Sequence, residues 1–297
     1  TSHDATCQGF LDQAKVKAER ATPYVSAAVQ FWAKLKRLKV SDDLIRNRGI
    51  REELIATAGV SAKARGYLSE DDITQILTGV IEGIPDDRKA RFREEVFYRY
   101  LLTKGASLDG EMRNYTGATA ARLFVAALLQ ALEKRHDPEV YMADVAGPSK
   151  LPEAHLLAES HKVHKVAWER RAILFDKRVA LVRKSVDVIL LDVTSRPADA
   201  DLLKRHDLFL ACGELKGGID PAGADEHWKT AKTALARVKE AFAAERLSPS
   251  LFFVGAAIES AMAHAIYSML LRGELAHAAN LTVARQVEDL ASWLVGL

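Results

Sequence analysis

Leu208-Phe-Leu-Ala-Cys-Gly-Glu-Leu-Lys-Gly-Gly-Ile-Asp-Pro-Ala-Gly-Ala-Asp-Glu-His-Trp-Lys-Thr230 is the stretch whose reading decides the fold. It opens as a short apolar run, Leu208 to Cys212, the pattern of a buried strand. Glu214 and Lys216 follow two residues apart, so a strand points both to one side. Two glycines, Asp220-Pro221 and Gly223 mark a turn, and a helix is expected from near Ala224, with Asp225 and Glu226 in its first turn. A carboxylate beside an ammonium at the end of a core strand is costly to bury unless the pair is used.

The use that fits is metal-assisted phosphodiester hydrolysis. A glutamate and a second acid can hold Mg²⁺, and a lysine can steady the attacking water or the charge that develops on phosphate. Glu-x-Lys alone is also what an ordinary ion pair at a strand edge looks like. The longer string Glu214 to Thr230 resembles the catalytic segment of type II restriction endonucleases of the AvaI/BsoBI group, with the XcyI/XmaI type as a relative, within the PD-(D/E)xK nuclease superfamily. The resemblance is strong over 208–235 and extends over about 154–260.

What the resemblance implies is an α/β (α+β) nuclease core with a central mixed sheet flanked by helices. It implies a bacterial, cytoplasmic homodimer that cuts double-stranded DNA with Mg²⁺ at a palindromic, C/G-rich six-base-pair site of the CYCGRG or CCCGGG class, leaving 5′-phosphates. It makes His227, eleven residues past Lys216, a candidate to activate water, and Asp220 a candidate to read bases. Gly217 and Gly218 would let backbone approach DNA, and Lys229 and Lys232 would touch phosphate. Without the resemblance, His227 reads as a packed or solvated helix histidine.

The metal-binding aspartate comes from Ser185-Val-Asp-Val-Ile-Leu-Leu-Asp-Val-Thr194, which has the length and β-branching of a core strand. Asp187 and Asp192 are an odd number of residues apart and face opposite sides, so one of them joins Glu214. Asp187 lies 27 residues before Glu214, close to the separation in the resembling enzymes, and the resemblance therefore favours it, although Val186 stands where the family's usual proline would be. A helix ahead of the sheet sometimes adds an acid in such nucleases, which makes Glu159 and Glu169 candidates. His161 and His164 read as solvated, with no further metal ligands nearby.

The rest of the chain bounds the answer. Of its 297 residues 28% are charged and 48% hydrophobic, enough for a full core in one or two domains. Net charge is +2, yet Lys15–Arg51 holds ten Lys/Arg against three Asp/Glu and His161–Lys184 eight against two. Such basic runs suit phosphate tracking, or else are solvated helix faces. Two cysteines, Cys7 and Cys212, indicate neither a disulfide framework nor a zinc site. The chain starts on Thr1 rather than Met, as a trimmed or processed chain does, and carries no basic-then-apolar leader. Arg122 interrupts the longest apolar run short of a membrane span. No Walker-type loop occurs, which argues against a nucleotide-driven motor.

Residues 8–40 read as helix with a break near Thr22-Pro23, and Asp42–Ala58 as a second helix capped by Ser41. Ser69-Glu-Asp-Asp72 resembles a capping box ahead of a helix ended by Gly83-Ile-Pro85. Helices are expected at Asp86–Lys104 and Thr116–His136, a hinge in 137–152, and a long helix from Glu153 to about Arg183. Strands at Ser185–Thr194, Leu208–Cys212 and Leu251–Val254 alternate with helices ending at Arg246, at Glu259–Arg272 and at Leu281–Val295. The domains are 1–140, helical and DNA-embracing, and 141–297, catalytic. The alternatives are a repair or structure-specific nuclease on the same core and a DNA-binding protein without catalysis.

Overall fold

The computed structural model describes residues 1–41, 43–133, 136–143, 145, 147–150, 160–193 and 199–297. It divides into two compact units, one of Thr1–Phe10 with Asn114–Leu297 and one of Leu11–Arg113. The divisions fall inside helices α1 (His3–Leu35) and α6 (Phe92–Glu133). The stretch 137–152, expected as a hinge, holds two short strands among its described residues, β1 (Glu139–Met142) and β2 (Pro148–Lys150).

The unit Leu11–Arg113 is helical. Phe31 and Leu35 of α1 meet Val96 and Tyr100 of α6, with Leu44, Ile50, Leu54, Ile73 and Leu77 closing the core. Pro23 lies inside α1 without breaking it. Contacts from α1 to α6 on both sides of the proline, Lys17–Asp109 and Phe31–Tyr100, hold the helix through the missing backbone bond. The helix expected over 42–58 is split into α2 (Asp43–Arg46), a 3₁₀ turn and α3 (Arg51–Thr57), because the Asn47 side chain accepts from Gly49 N and starts the chain afresh. Short helix α4 (Ala62–Arg65) precedes α5 (Glu70–Glu82), which has the capping box of Ser69 and Asp72 and ends at Gly83. Helix α6 is one 42-residue element where two were expected.

By length and composition, Asp86–Glu133 would suffice to cross a membrane, which Arg122 was expected to prevent. Its apolar stripe Phe124, Leu128 and Leu132 is buried against the sheet, the use a core helix makes of such a face.

The other unit is built on an eight-stranded sheet of order β2-β1-β3-β4-β5-β6-β7-β8, with β3 (Val163–Trp168), β4 (Arg171–Val179), β5 (Lys184–Asp192), β6 (Phe209–Lys216), β7 (Ser250–Gly255) and β8 (His277–Asn280). Pairing is antiparallel from β2 to β6 and parallel from β6 to β8, so the sheet is mixed. The described part of the expected helix 153–183 is a 3₁₀ turn, Ser160–Lys162, followed by strands β3 and β4: Ile173, Leu174 and Val179 are β-branched or apolar residues that a hairpin buries on both faces. Glu159 lies outside the described residues. Helices α7 (Asp199–Leu202), α8 (Pro221–Ala244), α9 (Ser260–Leu271) and α10 (Ala284–Gly296) complete the unit.

Two cores sandwich the sheet. The end of α6 and α10 cover one face through Phe124, Leu128, Leu290 and Leu294 on Ile173, Val188, Leu190 and Phe252. Helices α8 and α9 cover the other through Trp228, Leu235, Phe242 and Ile266 on Ile189, Leu191, Cys212 and Phe253. Gly213 has no room for a side chain: a Cβ there would fall 2.2 Å from the Phe252 ring. We expect Gly213→Ala to cost about 2–3 kcal/mol by overpacking, read as a drop in Tm of ~5 °C or more; an unchanged Tm would contradict this packing.

Candidate active site

Strand parity sets the site. Glu214 and Lys216 are in phase with Cys212, and Asp187 is in phase with Ile189 and Leu191; all these anchors pack under α8. β5 and β6 pair antiparallel with Val188 opposite Gly213, so continuing the register puts Asp187 opposite Glu214. The backbone N–H of Leu215 donates to Asp187 Oδ2 at 2.9 Å, which fixes that carboxylate. Lys216 Nζ donates to Glu214 Oε2 at 2.8 Å and lies 3.5 Å from Asp187 Oδ2. One ammonium thus stands between two carboxylates at the end of a core strand.

Asp192 lies at the far end of β5 on the other face. It pairs with Arg171 at 3.0 Å and Arg170 at 3.5 Å. Of the two aspartates the sequence offered, Asp187 is the one beside Glu214 and Lys216. Glu169 also sits at that far end, in the β3–β4 turn at φ 42°, and bonds His136 Nδ1 at 2.8 Å, away from Glu214. His164 lies on β3 beside Tyr141, and His161 in the 3₁₀ turn before it.

Burial governs the electrostatics. Glu214 is 4% exposed. Its carboxyl is pushed up to about 7, first by burial and then by the charge of Asp187, against the pull of Lys216. For Lys216 burial favours the neutral form, but Asp187 and Glu214 outweigh it and hold the ammonium above its ordinary value. The site carries two acids for one lysine, an excess of negative charge where only part of each carboxylate is engaged. Hard oxygen donors with lone pairs to spare fit a small divalent cation. Among the described residues no group of three or more His, Cys, Asp and Glu gathers. The other ligands of such an ion would come from water and phosphate, as Mg²⁺ prefers.

Beyond Lys216 the chain turns tightly. A Cβ on Gly217 would fall 2.6 Å from Thr116 O, and one on Gly218 2.5 Å from His227 Nε2. Both glycines are therefore needed for internal close approach: Gly217 lets the turn rest on α6, and Gly218 lets the His227 ring lie over it. His227 rises from the second turn of α8, next to buried Trp228. That helix starts at Pro221, earlier than expected. Asp220 is its N-cap, accepting from Ala222 N at 2.9 Å, with proline in the first turn. Asp220 is exposed, as are Lys229, paired with Asp225 at 2.5 Å, and Lys232.

Sequence reasoning missed the brace behind this turn. Lys216 O accepts from Ala256 N at 2.9 Å and Gly218 O from Ala257 N at 3.0 Å. The loop after β7 is held in turn by Thr1, whose Oγ1 donates to Ala256 O at 2.6 Å and accepts from Ile258 N at 2.8 Å, and by Asn280, which donates to Thr1 Oγ1 at 3.0 Å. Backbone partners leave no side-chain signal, and Thr1 lies more than 200 residues away in sequence.

A mixed sheet with an Asp, a Glu-x-Lys and a following helix at one end is the PD-(D/E)xK type of nuclease core. The chain belongs to the restriction endonuclease BsobI family, whose model matches residues 1–297. It is similar to the type II restriction enzyme AvaI of Nostoc sp., at 37% identity over all of this chain and 96% of that one. It is similar also to the type II restriction enzyme BsoBI of Geobacillus stearothermophilus, at 34% identity over all of this chain and 94% of that one.

A buried carboxylate with a raised pKa costs stability once ionised, because folding raises its pKa above the unfolded value. The cost grows as pH rises through the range between the two. At pH 8 with EDTA, Glu214→Gln is expected to unfold at the same or a higher temperature than the parent, with a gain of about 1–3 kcal/mol at most. A clear loss of Tm would show that the charge stabilises the fold.

Proposed function

We propose that this chain is a Mg²⁺-dependent endonuclease that hydrolyses double-stranded DNA at a palindromic, C/G-rich six-base-pair site and leaves 5′-phosphates. The observation that carries this reading is Lys216 donating between Asp187 and Glu214 at the sheet end. Membership of a restriction endonuclease family and the names of both relatives support it.

Asp187 and Glu214 would hold the metal, each with one carboxylate oxygen already engaged, by Leu215 N and by Lys216. When bound, the cation supplies positive charge at the phosphate and lowers the pKa of a water. His227 accepts the proton of the attacking water. The water oxygen bonds to phosphorus, the bond to the 3′-oxygen breaks and that oxygen takes a proton from solvent water, and the phosphate stays on the 5′ side. Lys216 donates to a non-bridging phosphate oxygen as charge builds there. Its ammonium is kept charged for this by the two carboxylates beside it.

Asp220 spends one oxygen on Ala222 N, and its other oxygen can accept from cytosine N4 in the major groove. Lys229 and Lys232, three residues apart on α8, contact phosphates, and the backbone of Gly217-Gly218 runs close to the strand. The helical unit with its basic run embraces the duplex. Two copies of the chain act together, since a two-fold dimer matches a two-fold site.

Intact phage DNA incubated with the protein and Mg²⁺ is expected to give discrete fragments, absent with EDTA, whose ends give the site. A smear would replace the restriction role by a structure-specific nuclease. Uncut DNA that shifts in a binding gel would point to binding without catalysis. Glu214→Ala and Lys216→Ala are each expected to slow cutting on the order of 10²-fold or more; variants that cut like the parent would sink the assignment.

A further inference from the structure

The hairpin joining β4 to β5 closes the basic run His161–Lys184, and none of its cations has a role in the site described above. Val179 pairs with Lys184, so Ala180–Arg183 is the tip. Over 176–184 the sequence places Lys177, Arg178, Arg183 and Lys184 against one acid, Asp176. Arg178, Arg183 and Lys184 are exposed, and no ion pair joins any of them to another described residue.

The topology puts this tip at the catalytic end of the sheet. β5 leaves the tip at Lys184 and reaches Asp187 three residues later, roughly 10 Å along the strand. β6 runs the other way, and continuing the Val188–Gly213 register sets Ser185 beside Lys216. The cations therefore lie just beyond the two carboxylates at the same end of the sheet. A duplex carries one charge per ~1.7 Å of axis.

The backbone adds an independent observation. Arg183 sits at φ 59°, the left-handed region that glycine and asparagine enter far more readily. Its N–H closes the turn onto Val179 O at 2.9 Å. A glycine there would close the same turn at lower conformational cost. The chain keeps a long cation at a position whose geometry favours glycine.

We infer that Arg178, Arg183 and Lys184 form an arm that grips DNA phosphates flanking the cut. The arm rests on the nuclease reading above and adds residues to its DNA-binding surface. It is sequence-independent in action: it contributes affinity and salt dependence, and leaves the choice of bases to other residues.

The structure supplies a matched control. Arg246 also lies at positive φ, 60°, and is exposed, but it follows the C-terminal end of α8, just before β7 begins, at the end of the sheet away from Lys216. Arg183→Gly and Arg246→Gly thus make the same charge change and the same backbone change at opposite ends.

The test measures binding of the full chain to a fluorescent duplex of about 30 base pairs, in EDTA, across a salt series. Thermal unfolding and Mg²⁺-dependent plasmid cutting are followed in parallel. Arg183→Gly is expected to keep or raise Tm, and to lower the slope of log K against log salt by about one. Arg178→Gln should act likewise, and the two together should lower the slope by about two. Arg246→Gly should leave the slope unchanged. Equal slopes for the parent and Arg183→Gly, or equal losses in Arg183→Gly and Arg246→Gly, would overturn the arm while leaving the nuclease reading intact. A parent that neither binds nor cuts DNA would overturn the nuclease reading and the arm with it.

Discussion

One ammonium held between two carboxylates is the constraint around which this molecule is arranged. Lys216 touches Glu214 at 2.8 Å and stands 3.5 Å from Asp187. Burial keeps the Glu214 carboxyl high, near 7, so the lysine is what makes two adjacent acids tolerable in a sparsely hydrated place. The pair still outnumbers its cation, and that residual charge is the opening for a divalent ion. The stability given up here is recovered in the apolar layers on both faces of the sheet.

The strands exist to deliver this cluster, and their neighbours exist to hold it still. β5 and β6 bring Asp187 opposite Glu214 because their apolar residues alternate in register under α8. Gly213 gives up its side chain to Phe252, and Gly217 and Gly218 give up theirs to α6 and His227. The parallel partner β7 then braces the turn through Ala256 and Ala257, with Thr1 and Asn280 behind. Charge placed on the β4–β5 tip extends the same end of the sheet toward a polyanion.

Much of the site was legible because its chemistry is local in sequence. Glu214, Lys216 and the helix bearing His227 lie within one strand–turn–helix passage, whose period and turn residues are plain. Choosing Asp187 over Asp192 needed strand parity plus spacing, and the arginine partners of Asp192 became visible only in three dimensions. The fold was less legible between 137 and 183. Strands such as Val163–Trp168 and Arg171–Val179 mix charged and apolar residues without clean alternation, so they read as helix. β8, four residues with two alanines, carries too little pattern to detect. In the helical unit the errors went the other way. Pro23 and the glycines of α6 look like breaks, yet long-range contacts between α1 and α6 carry both helices through them. Asp220-Pro221 was read as turn when it is cap and first turn of α8, two roles that share one composition.

The measurement that tests the central claim most directly compares Asp187→Ala with Asp192→Ala, two substitutions on one strand that differ in which end and which face they alter. Single-turnover cleavage of plasmid DNA is followed against Mg²⁺ concentration for both and for the parent. The account predicts that Asp187→Ala loses on the order of 10²-fold or more in rate and no longer responds to Mg²⁺, while Asp192→Ala keeps near-parental cutting. Loss with Asp192→Ala and retention with Asp187→Ala would contradict it.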